Sequence, residues 1–274
     1  MIWAGKRLWL GALTVLSLLV CSLVTSSRVS ADVDTYSYRI IETFPHATDV
    51  FTQGLVYQDN TLFESAGMYG ESRLLTRTLD NIAPLKQQTL DQRLFAEGIT
   101  ILGDSIYQLT WKSRRGFIYD KNSLQLTGEF KVAGEGWGIT DDGHQLIISD
   151  GSNQLFFMNP VDFKVTKTLQ VYYHGNPVKQ LNELEWIDGR IYANIWGSDW
   201  IVMIDPNSGD VTGKVHLDKL LPDELRTYRT DVLNGIAFDT QKRRLLVTGK
   251  YWPRLYHIEL IAPADSPPSP SAGN

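Results

Sequence analysis

The chain has 274 residues and a formal net charge of −5 at pH 7, and aromatic residues make up 11% of it. An acidic chain lacks the basic surface on which nucleic-acid binding depends, so we expect no nucleic-acid partner. The single cysteine, Cys21, lies in an apolar N-terminal run. The rest of the chain therefore has no disulfide, no thiolate metal site and no cysteine nucleophile.

Residues 1–31 have the pattern of a secretory signal peptide. Lys6-Arg7 precede an apolar run from Leu8 to Val24, and Val29-Ser30-Ala31 ends in a small residue suited to cleavage. We predict cleavage after Ala31, which exports the mature chain to the periplasm or the medium without a membrane attachment. The run of about 17 apolar residues is also close to the length of a membrane-spanning helix, so an uncleaved leader would anchor the protein.

One domain is predicted between the two ends of the chain. Residues 262–274 contain Pro, Ser, Ala and Gly but no large apolar residue, which predicts a disordered tail. The leader holds three basic residues and no acidic one, so its loss would change the net charge from −5 to −8. Residues 32–261 remain, and they are enough for one domain with a complete core.

Short runs rich in β-branched and aromatic residues fill the region between residues 36 and 261. Ser105–Leu109, Gly116–Asp120 and Arg190–Ile195 have the length of strands, and turn-forming residues bound them. Residues 217–231 form the one plausible helical insert, and a long helical period is almost absent elsewhere. The chain is therefore predicted to be all-β.

Five segments share a signature in which a polar or aromatic residue is followed, usually, by Gly and then by an aliphatic residue. They are Gln53-Gly54-Leu55, Glu97-Gly98-Ile99, Trp137-Gly138-Ile139, Asn182-Glu183-Leu184 and Asn234-Gly235-Ile236. Successive segments are 40 to 52 residues apart, and further strands follow each one. This period is typical of four-stranded propeller blades and predicts a five-bladed β-propeller. A leucine-rich solenoid or a two-sheet sandwich explains the period less well.

The last unit is one strand short, and the chain begins with a spare strand. Residues 254–260 form the final predicted strand, and the Pro-rich tail follows it. Tyr36–Thr43 read as a strand that precedes the first unit. We predict that this N-terminal strand is the outer strand of the last blade, because such a closure ties the two ends together and protects the open edges.

The chemically interesting residues are predicted to share one end of a central channel. Because neighbouring strands are antiparallel, the start of each first strand lies beside the end of the second. The first-strand starts carry Gln53, Glu97, Trp137, Asn182 and Asn234, with Phe51 and Phe95 just before them; the second-strand ends carry Trp111-Lys112, Asp150, Trp196 and Lys250-Tyr251-Trp252. A concavity with a carboxylate, an ammonium, amides and aromatic walls is the default hypothesis for an active site.

Several of these residues also have purely structural explanations. The tryptophans could pack between blades, and the solvent could surround Lys250 at the end of its strand. Asn182 and Asn234 could cap tight turns. For each residue taken alone the sequence leaves the structural explanation open, although three tryptophans at the same structural level favour a pocket.

The acidic residues and the helical insert are open to structural explanations as well. Glu97 could be a turn acid at a strand edge, and Asp150 has the setting of a turn residue. Glu183 and Glu185 could be surface acids that keep an edge soluble. Residues 217–231 connect an outer strand to the next inner strand, so we expect this insert to form a wall or a lid at the channel mouth.

Motifs for metal or serine chemistry are absent from the sequence. The five histidines show no metal-ligand spacing, and the chain has no His-Glu-x-x-His, Gly-x-Ser-x-Gly, phosphate-loop or EF-hand pattern. A zinc hydrolase or a Ser-His-Asp esterase is therefore poorly supported. The residues are still compatible with a non-catalytic exported propeller that binds a peptide or a sugar, and with a metal-dependent lactonase-like hydrolase.

A set of motifs in order along nearly the whole mature chain is more specific than any one of them. The set includes Phe51-Thr-Gln-Gly-Leu, Glu64-Ser-Ala-Gly-Met-Tyr-Gly-Glu-Ser, Phe95-Ala-Glu-Gly-Ile-Thr, Leu109-Thr-Trp-Lys, Glu135-Gly-Trp-Gly, Leu181-Asn-Glu-Leu-Glu-Trp, Ala193-Asn-Ile-Trp, Leu233-Asn-Gly-Ile-Ala-Phe and Thr248-Gly-Lys-Tyr-Trp-Pro. These motifs closely resemble those of the plant-type glutaminyl-peptide cyclotransferases, a family that also occurs in bacteria.

This resemblance implies a fold, an activity and a site. It implies a five-bladed propeller and an enzyme of the acyltransferase class, which converts the N-terminal glutamine of peptides and proteins to pyroglutamate with release of ammonia. Glu97 matches the catalytic acid of the family. The residues that match its substrate pocket are Phe51, Gln53, Phe95, Trp111, Trp137, Asn182, Trp196 and Lys250. We expect no metal, no organic cofactor and a monomeric protein.

Overall fold

The computed structural model describes residues 1–2 and 33–263. The predicted signal peptide, apart from its first two residues, and the predicted tail beyond residue 263 lie outside this part of the chain. The chain divides into two compact units, Met1–Ser30 and Ala31–Asn274, and every strand below belongs to the second. Among the described residues, no helix has the length and apolar character needed to cross a membrane.

Strands make up almost all of the regular structure, so the prediction of an all-β chain is confirmed. The strands are β1 (Asp34–Pro45), β2 (Thr52–Gln58), β3 (Thr61–Ala66), β4 (Arg73–Arg77), β5 (Lys86–Thr89), β6 (Ala96–Leu102), β7 (Ser105–Thr110), β8 (Arg115–Asp120), β9 (Leu126–Lys131), β10 (Ile139–Asp141), β11 (Leu146–Ser149), β12 (Gln154–Met158), β13 (Val165–Gln170), β14 (Tyr172–Tyr173), β15 (Asn176–Pro177), β16 (Leu181–Ile187), β17 (Arg190–Ile195), β18 (Trp200–Ile204), β19 (Val211–His216), β20 (Leu233–Asp239), β21 (Arg244–Gly249) and β22 (Arg254–Ile261).

The strands assemble mainly into four-stranded antiparallel groups. β2 to β5, β6 to β9, and β10 to β13 each form a separate sheet in chain order. An eight-stranded sheet has the order β16-β17-β18-β19-β1-β22-β21-β20, and β14 pairs with β15 in a small hairpin. β1 lies antiparallel to β22, where the sequence analysis placed it, and its first residues pair in parallel with β19.

The first strands of successive groups approach one another more closely than side chains permit. A Cβ atom on Gly98 would lie 2.8 Å from the backbone nitrogen of Ile139, and one on Gly138 would lie 1.9 Å from the carbonyl oxygen of Asn182. Real side chains do not tolerate such distances, so glycine is required where two backbones meet in this way. The glycine of the repeated signature therefore has a packing role.

The fourth unit has Glu183 in place of this glycine. Its carboxylate forms hydrogen bonds to the backbones of two neighbouring first strands. One oxygen accepts the backbone N–H of Leu55 at 3.2 Å, and the other accepts that of Ile236 at 2.9 Å. Glu183 is only 1% exposed, so its interpretation as a surface acid is wrong. Its side chain joins β2 and β20 to its own strand in the centre of the fold.

The predicted helical insert is wrong except for a single 3-10 turn, Asp223–Leu225. Leu217, Leu220 and Leu221 are buried in the core that lies under β20 and β22. Pro222 follows them directly, and proline has no backbone N–H to donate inside a helix. The buried leucine side chains therefore hold this segment against the core, although its backbone is irregular and not helical.

A buried polar cluster supports the strand that carries Gln53. The carboxylate of Glu64 accepts hydrogen bonds from Thr52 at 2.7 Å and from His46 Nε2 at 2.8 Å, and Arg77 lies 3.7 Å away. The other ring nitrogen of His46 lies 2.7 Å from the carbonyl oxygen of Trp252. Because a carbonyl oxygen can only accept, Nδ1 of His46 donates to Trp252, and the imidazole links the Glu64 cluster to the segment before β22.

We expect Glu64 to make the fold sensitive to acid. Burial raises the pKa of this carboxyl, but the charge and hydrogen bond of His46, the charge of Arg77 and the hydrogen bond from Thr52 together lower it from 4.5 to about 2. A lowered folded-state pKa gives stability that is complete above the unfolded value and is lost as the pH falls toward 2, about 3 kcal/mol in all.

Urea unfolding of the wild type and of Glu64→Gln at pH 7 and pH 3 measures this contribution. The difference between their unfolding free energies should shrink by about 2 kcal/mol at pH 3, since other buried carboxyls titrate alike in both proteins. An equal difference at both pH values would contradict the assignment. If the variant does not fold, carbon-13 NMR of the wild type gives the pKa of Glu64 directly.

Candidate active site

All nine predicted site residues lie around one cavity of about 440 Å³. Its walls consist of Phe51, Gln53, Met68, Phe95, Glu97, Trp111, Trp137, Gln180, Asn182, Trp196 and Lys250. Further residues predicted at the same end of the fold, including Lys112, Asp150, Asn234, Tyr251 and Trp252, do not line it. The cavity has the size and the mixture of apolar walls and few polar groups that small-molecule sites have.

Interruptions in the first strands present the polar residues to this cavity. The pairing register shifts between Thr52 and Gly54, between Ala96 and Ile99, and between Leu181 and Leu184. Each shift leaves the signature residue, Gln53, Glu97 or Asn182, without a partner on the second strand. β-Bulges of this kind re-aim side chains and occur next to active sites. The repeated signature thus corresponds to a repeated local geometry.

The second strands supply the next layer of the cavity wall. Trp111, Trp196 and Lys250 each directly follow the last residue of a second strand. Gly67 occupies the same position in the first unit, and a Cβ atom there would lie 2.6 Å from the ring of Phe95. Asp150 occupies it in the third unit, where its carboxylate accepts hydrogen bonds from Ser152 within a turn. The turn interpretation of Asp150 therefore agrees with the structure.

Aromatic rings pack edge to face along the wall of the cavity. The ring centroids of Phe51 and Phe95 are 6.1 Å apart, and those of Phe95 and Trp111 are 5.6 Å apart. Trp137 and Trp196 form a second pair at 6.0 Å. Trp196 is 47% exposed and lies at the rim. These contacts hold the rings in fixed orientations and leave an apolar cup between them.

Three residues at the site were missed by the sequence analysis. Met68 and Gln180 line the cavity, and Glu135 accepts hydrogen bonds from the indole N–H groups of Trp111 at 2.8 Å and Trp137 at 3.1 Å. A signal for two of them was present, because Glu135 and Gln180 each lie two residues before a signature residue, as Phe51 and Phe95 do. Met68 does not lie at this position relative to any signature residue, so the pattern could not have identified it.

Glu97 and Lys250 form a buried pair of opposite charges at the cavity. They are 5% and 3% exposed. Burial raises the pKa of Glu97 well above its ordinary value, the charge of Lys250 opposes this rise, and that of Glu135 adds to it. Burial lowers the pKa of Lys250, against the charges of Glu97 and Asp231. Within residues 33–263 the carboxylate of Glu97 has no hydrogen-bond partner, so it is available to a ligand.

Two amide oxygens at the cavity also lack partners. Gln53 Oε1 and Asn182 Oδ1 are buried and unbonded within the described part of the chain. A buried acceptor without a donor costs about 1–3 kcal/mol, so these oxygens are suited to the N–H groups of a ligand. Asn234 Oδ1 is buried and unbonded as well, but Asn234 lies outside the cavity lining, and its Nδ2 donates to the carbonyl oxygen of Thr52 at 2.9 Å.

The donor set of the cavity does not resemble a metal site. Across residues 1–2 and 33–263, no group of three or more His, Cys, Asp or Glu side chains could hold a metal ion. The cavity itself offers one carboxylate, one ammonium, amides and rings. This arrangement can bind a small polar group, stabilise negative charge at Lys250 and move a proton at Glu97.

Comparisons with known proteins agree on one family. The family model described as glutamine cyclotransferase matches residues 12–260. The chain is 43% identical to the glutaminyl-peptide cyclotransferase of Arabidopsis thaliana over 225 residues, which cover 81% of this chain and 70% of the relative. The crystal structure of Myxococcus xanthus glutaminyl cyclase superposes with a TM-score of 0.79 at 36% identity, over 84% of this chain and 99% of that one. The chain therefore belongs to the glutamine cyclotransferase family.

Proposed function

We propose that the protein is a glutaminyl-peptide cyclotransferase, an acyltransferase that acts on peptides and proteins with an N-terminal glutamine. Family membership supports this activity, as do the names of the Arabidopsis and Myxococcus proteins. The observation that carries the proposal is the position of Glu97, a buried carboxylate with a raised pKa in an aromatic cup that also holds Lys250. A carboxyl whose pKa is raised in this way is suited to take up and return a proton during a reaction.

The reaction joins two parts of one residue. The α-amine nitrogen of the substrate attacks its own γ-amide carbon, a carbon–nitrogen bond forms, and the bond from that carbon to the amide nitrogen breaks. The products are a five-membered lactam and ammonia, with no second reactant. Because the attack is intramolecular, much of the rate gain comes from holding the reactive rotamer, and rigid rings such as Phe95 and Trp111 supply that shape.

Glu97 is proposed to carry the proton that this exchange requires. Its carboxylate takes a proton from the attacking amine and delivers it to the departing nitrogen, which would otherwise leave as an unstable amide anion. Lys250, the one cationic residue in the cavity lining among residues 33–263, is proposed to stabilise the negative charge that develops on the amide oxygen. Gln53 and Asn182 orient the substrate through its N–H groups. These groups supply the chemistry without a metal or an organic cofactor.

We also propose that the five repeated units are the blades of a five-bladed propeller. Three units correspond to separate four-stranded sheets, and the eight-stranded sheet contains the four strands of the fourth unit together with β1 and the three strands of the last. The close approach of first strands at Gly98 and Gly138 supports an arrangement around a common axis. An exported monomer, without a membrane anchor once the leader is cleaved, completes the proposal.

One assay separates this function from a non-catalytic binding propeller and from a metal-dependent hydrolase. Ammonia release from a peptide that begins with glutamine should be enzyme-dependent and insensitive to a chelator, and mass spectrometry should show the loss of about 17 Da, the mass of one ammonia. A peptide that begins with asparagine serves as the control, because its shorter side chain cannot close the same ring. Binding without ammonia release would favour the non-catalytic propeller, and loss of activity with the chelator would favour metal chemistry.

Replacing Trp111 by alanine should mainly weaken substrate binding. Trp111 contacts Phe95 and forms part of the cup wall, so we expect KM to rise about 10- to 100-fold with a smaller change in kcat. Steady-state kinetics on the glutamine peptide measures both constants. Trp200→Ala is the matched control, since Trp200 packs on His216 and does not line the cavity. A fall in kcat with an unchanged KM would contradict the role of Trp111 as a wall.

A further inference from the structure

A single carboxylate joins two walls of the cavity that belong to different sheets. Trp111 follows β7 and Trp137 precedes β10. Oε2 of Glu135 accepts the indole N–H of both, at 2.8 Å and 3.1 Å. The backbone N–H of Gly136 also donates to the carbonyl oxygen of Trp111 at 3.1 Å. The segment that carries Glu135 is therefore fastened to Trp111 by its main chain as well as by its side chain.

Glu135 connects the two runs of aromatic rings in the wall. Phe95 packs on Trp111 in one run, and Trp137 packs on Trp196 in the second. Edge contacts between rings fix orientation within a run but do not set the spacing between the runs. Hydrogen bonds from two donors to one ionised oxygen are strong and directional, and they do set this spacing.

The charge of Glu135 acts on the reacting centre as well. Burial is the main cause of the raised pKa of Glu97, Lys250 opposes it, and the negative charge of Glu135 adds to it. No step proposed above uses Glu135, because it does not line the cavity and its Oε2 is already occupied by the two indoles. Its effect on the reaction must therefore pass through its neighbours in the cavity.

We propose that Glu135 is a positioning residue of the cyclisation, which sets the distance between the two indole walls and places a second negative charge within electrostatic reach of Glu97. This inference rests on the proposed function. The hydrogen bonds of Glu135 determine how well the glutamine side chain of the substrate fits the cavity, and its charge contributes to the pH dependence of the reaction. Substitutions can separate these two contributions.

Two variants separate them. Glu135→Gln keeps a carbonyl oxygen that can accept both indole N–H groups but removes the charge. Glu135→Ala removes the acceptor and the charge together. Glu129→Gln is the matched control, because Glu129 is an exposed acid paired with Arg115 and its replacement removes the same charge elsewhere. All proteins are assayed on the same peptide, so the substrate amine contributes equally to every pH profile.

Glu135→Gln should keep KM within about twofold of the wild type and should move the acidic limb of kcat/KM to lower pH. The direction follows because loss of a neighbouring negative charge makes Glu97 easier to ionise. Glu135→Ala should raise KM about tenfold, since two hydrogen bonds to a charged group are lost. In nitrogen-15 NMR spectra, the indole N–H protons of Trp111 and Trp137 should exchange faster with solvent in Glu135→Ala but not in Glu135→Gln.

An acidic limb in Glu135→Gln that superposes on that of the wild type and of Glu129→Gln would overturn the proposal. So would a Glu135→Ala protein with unchanged KM and unchanged indole exchange. Failure of the proposed function looks different, because the wild type itself would then release no ammonia. In that case the indole exchange experiment still reports whether Glu135 holds the two walls.

Discussion

Replacing Glu97 by glutamine should lower kcat by about 10²- to 10⁴-fold, the usual contribution of a general acid–base group. Glutamine has the same shape but can neither take the proton of the amine nor return it to the leaving nitrogen. KM should change little, because the aromatic cup and the amides remain. Single-turnover measurement of ammonia release on a glutamine peptide gives the chemical step directly.

The matched control for this variant is Glu185→Gln. Glu185 is also a carboxyl whose pKa burial raises well above its ordinary value, and it lies outside the cavity lining. Its Oε1 accepts the backbone N–H of Phe238 at 2.8 Å, and a glutamine oxygen can do the same. The control should retain wild-type turnover. Near-normal turnover in a folded Glu97→Gln protein would remove Glu97 from the proton-transfer role.

Replacing Lys250 by methionine should lower kcat by about 10²- to 10³-fold, as the loss of one group that stabilises a developing oxyanion does. Methionine fills a similar volume and preserves the contact with the ring of Phe51, above which the ammonium lies at 4.6 Å. The variant should also lose activity at the acidic end of its range. Lys250 lowers the pKa of Glu97, so its removal raises that pKa further and moves the acidic limb of kcat/KM to higher pH.

A pH–rate profile for Lys250→Met beside Lys219→Met tests both effects. Lys219 is exposed on the segment before β20, so its replacement removes the same charge without touching the cavity. A Lys250→Met protein with wild-type kcat, or with an acidic limb moved to lower pH, would contradict the role of Lys250. The opposite shifts expected for Lys250→Met and Glu135→Gln also check each other, because both act on Glu97.

Much of the candidate site could be predicted because its residues repeat in register. Gln53, Glu97 and Asn182 carry the same signature and lie at the same kind of strand interruption. Strand periodicity and turn residues are local properties, so the order of strands could be read along the chain. Counting two residues back from each signature residue would also have identified Glu135 and Gln180 as site residues.

The prediction of a helix over residues 217–231 was wrong for a local reason, which the spacing of the apolar residues does not reveal. Leu217, Leu220 and Leu221 have a spacing that fits one face of a helix, but each is buried by the core under β20 and β22. Apolar spacing shows which side chains are buried and does not by itself define the backbone between them. Pro222 then limits the helical conformation to one short turn.

The sequence by itself determined that this chain is all-β, that a signature recurs in it five times, and which residues each signature presents. Only the tertiary structure decided what the acids do. Glu97 and Glu183 both belong to the signature segments, yet within residues 33–263 Glu97 has no hydrogen-bond partner, while Glu183 accepts N–H groups from Leu55 and Ile236. Those donors lie 128 and 53 residues away in the chain, and the pKa and role of a buried carboxylate depend on such distant partners.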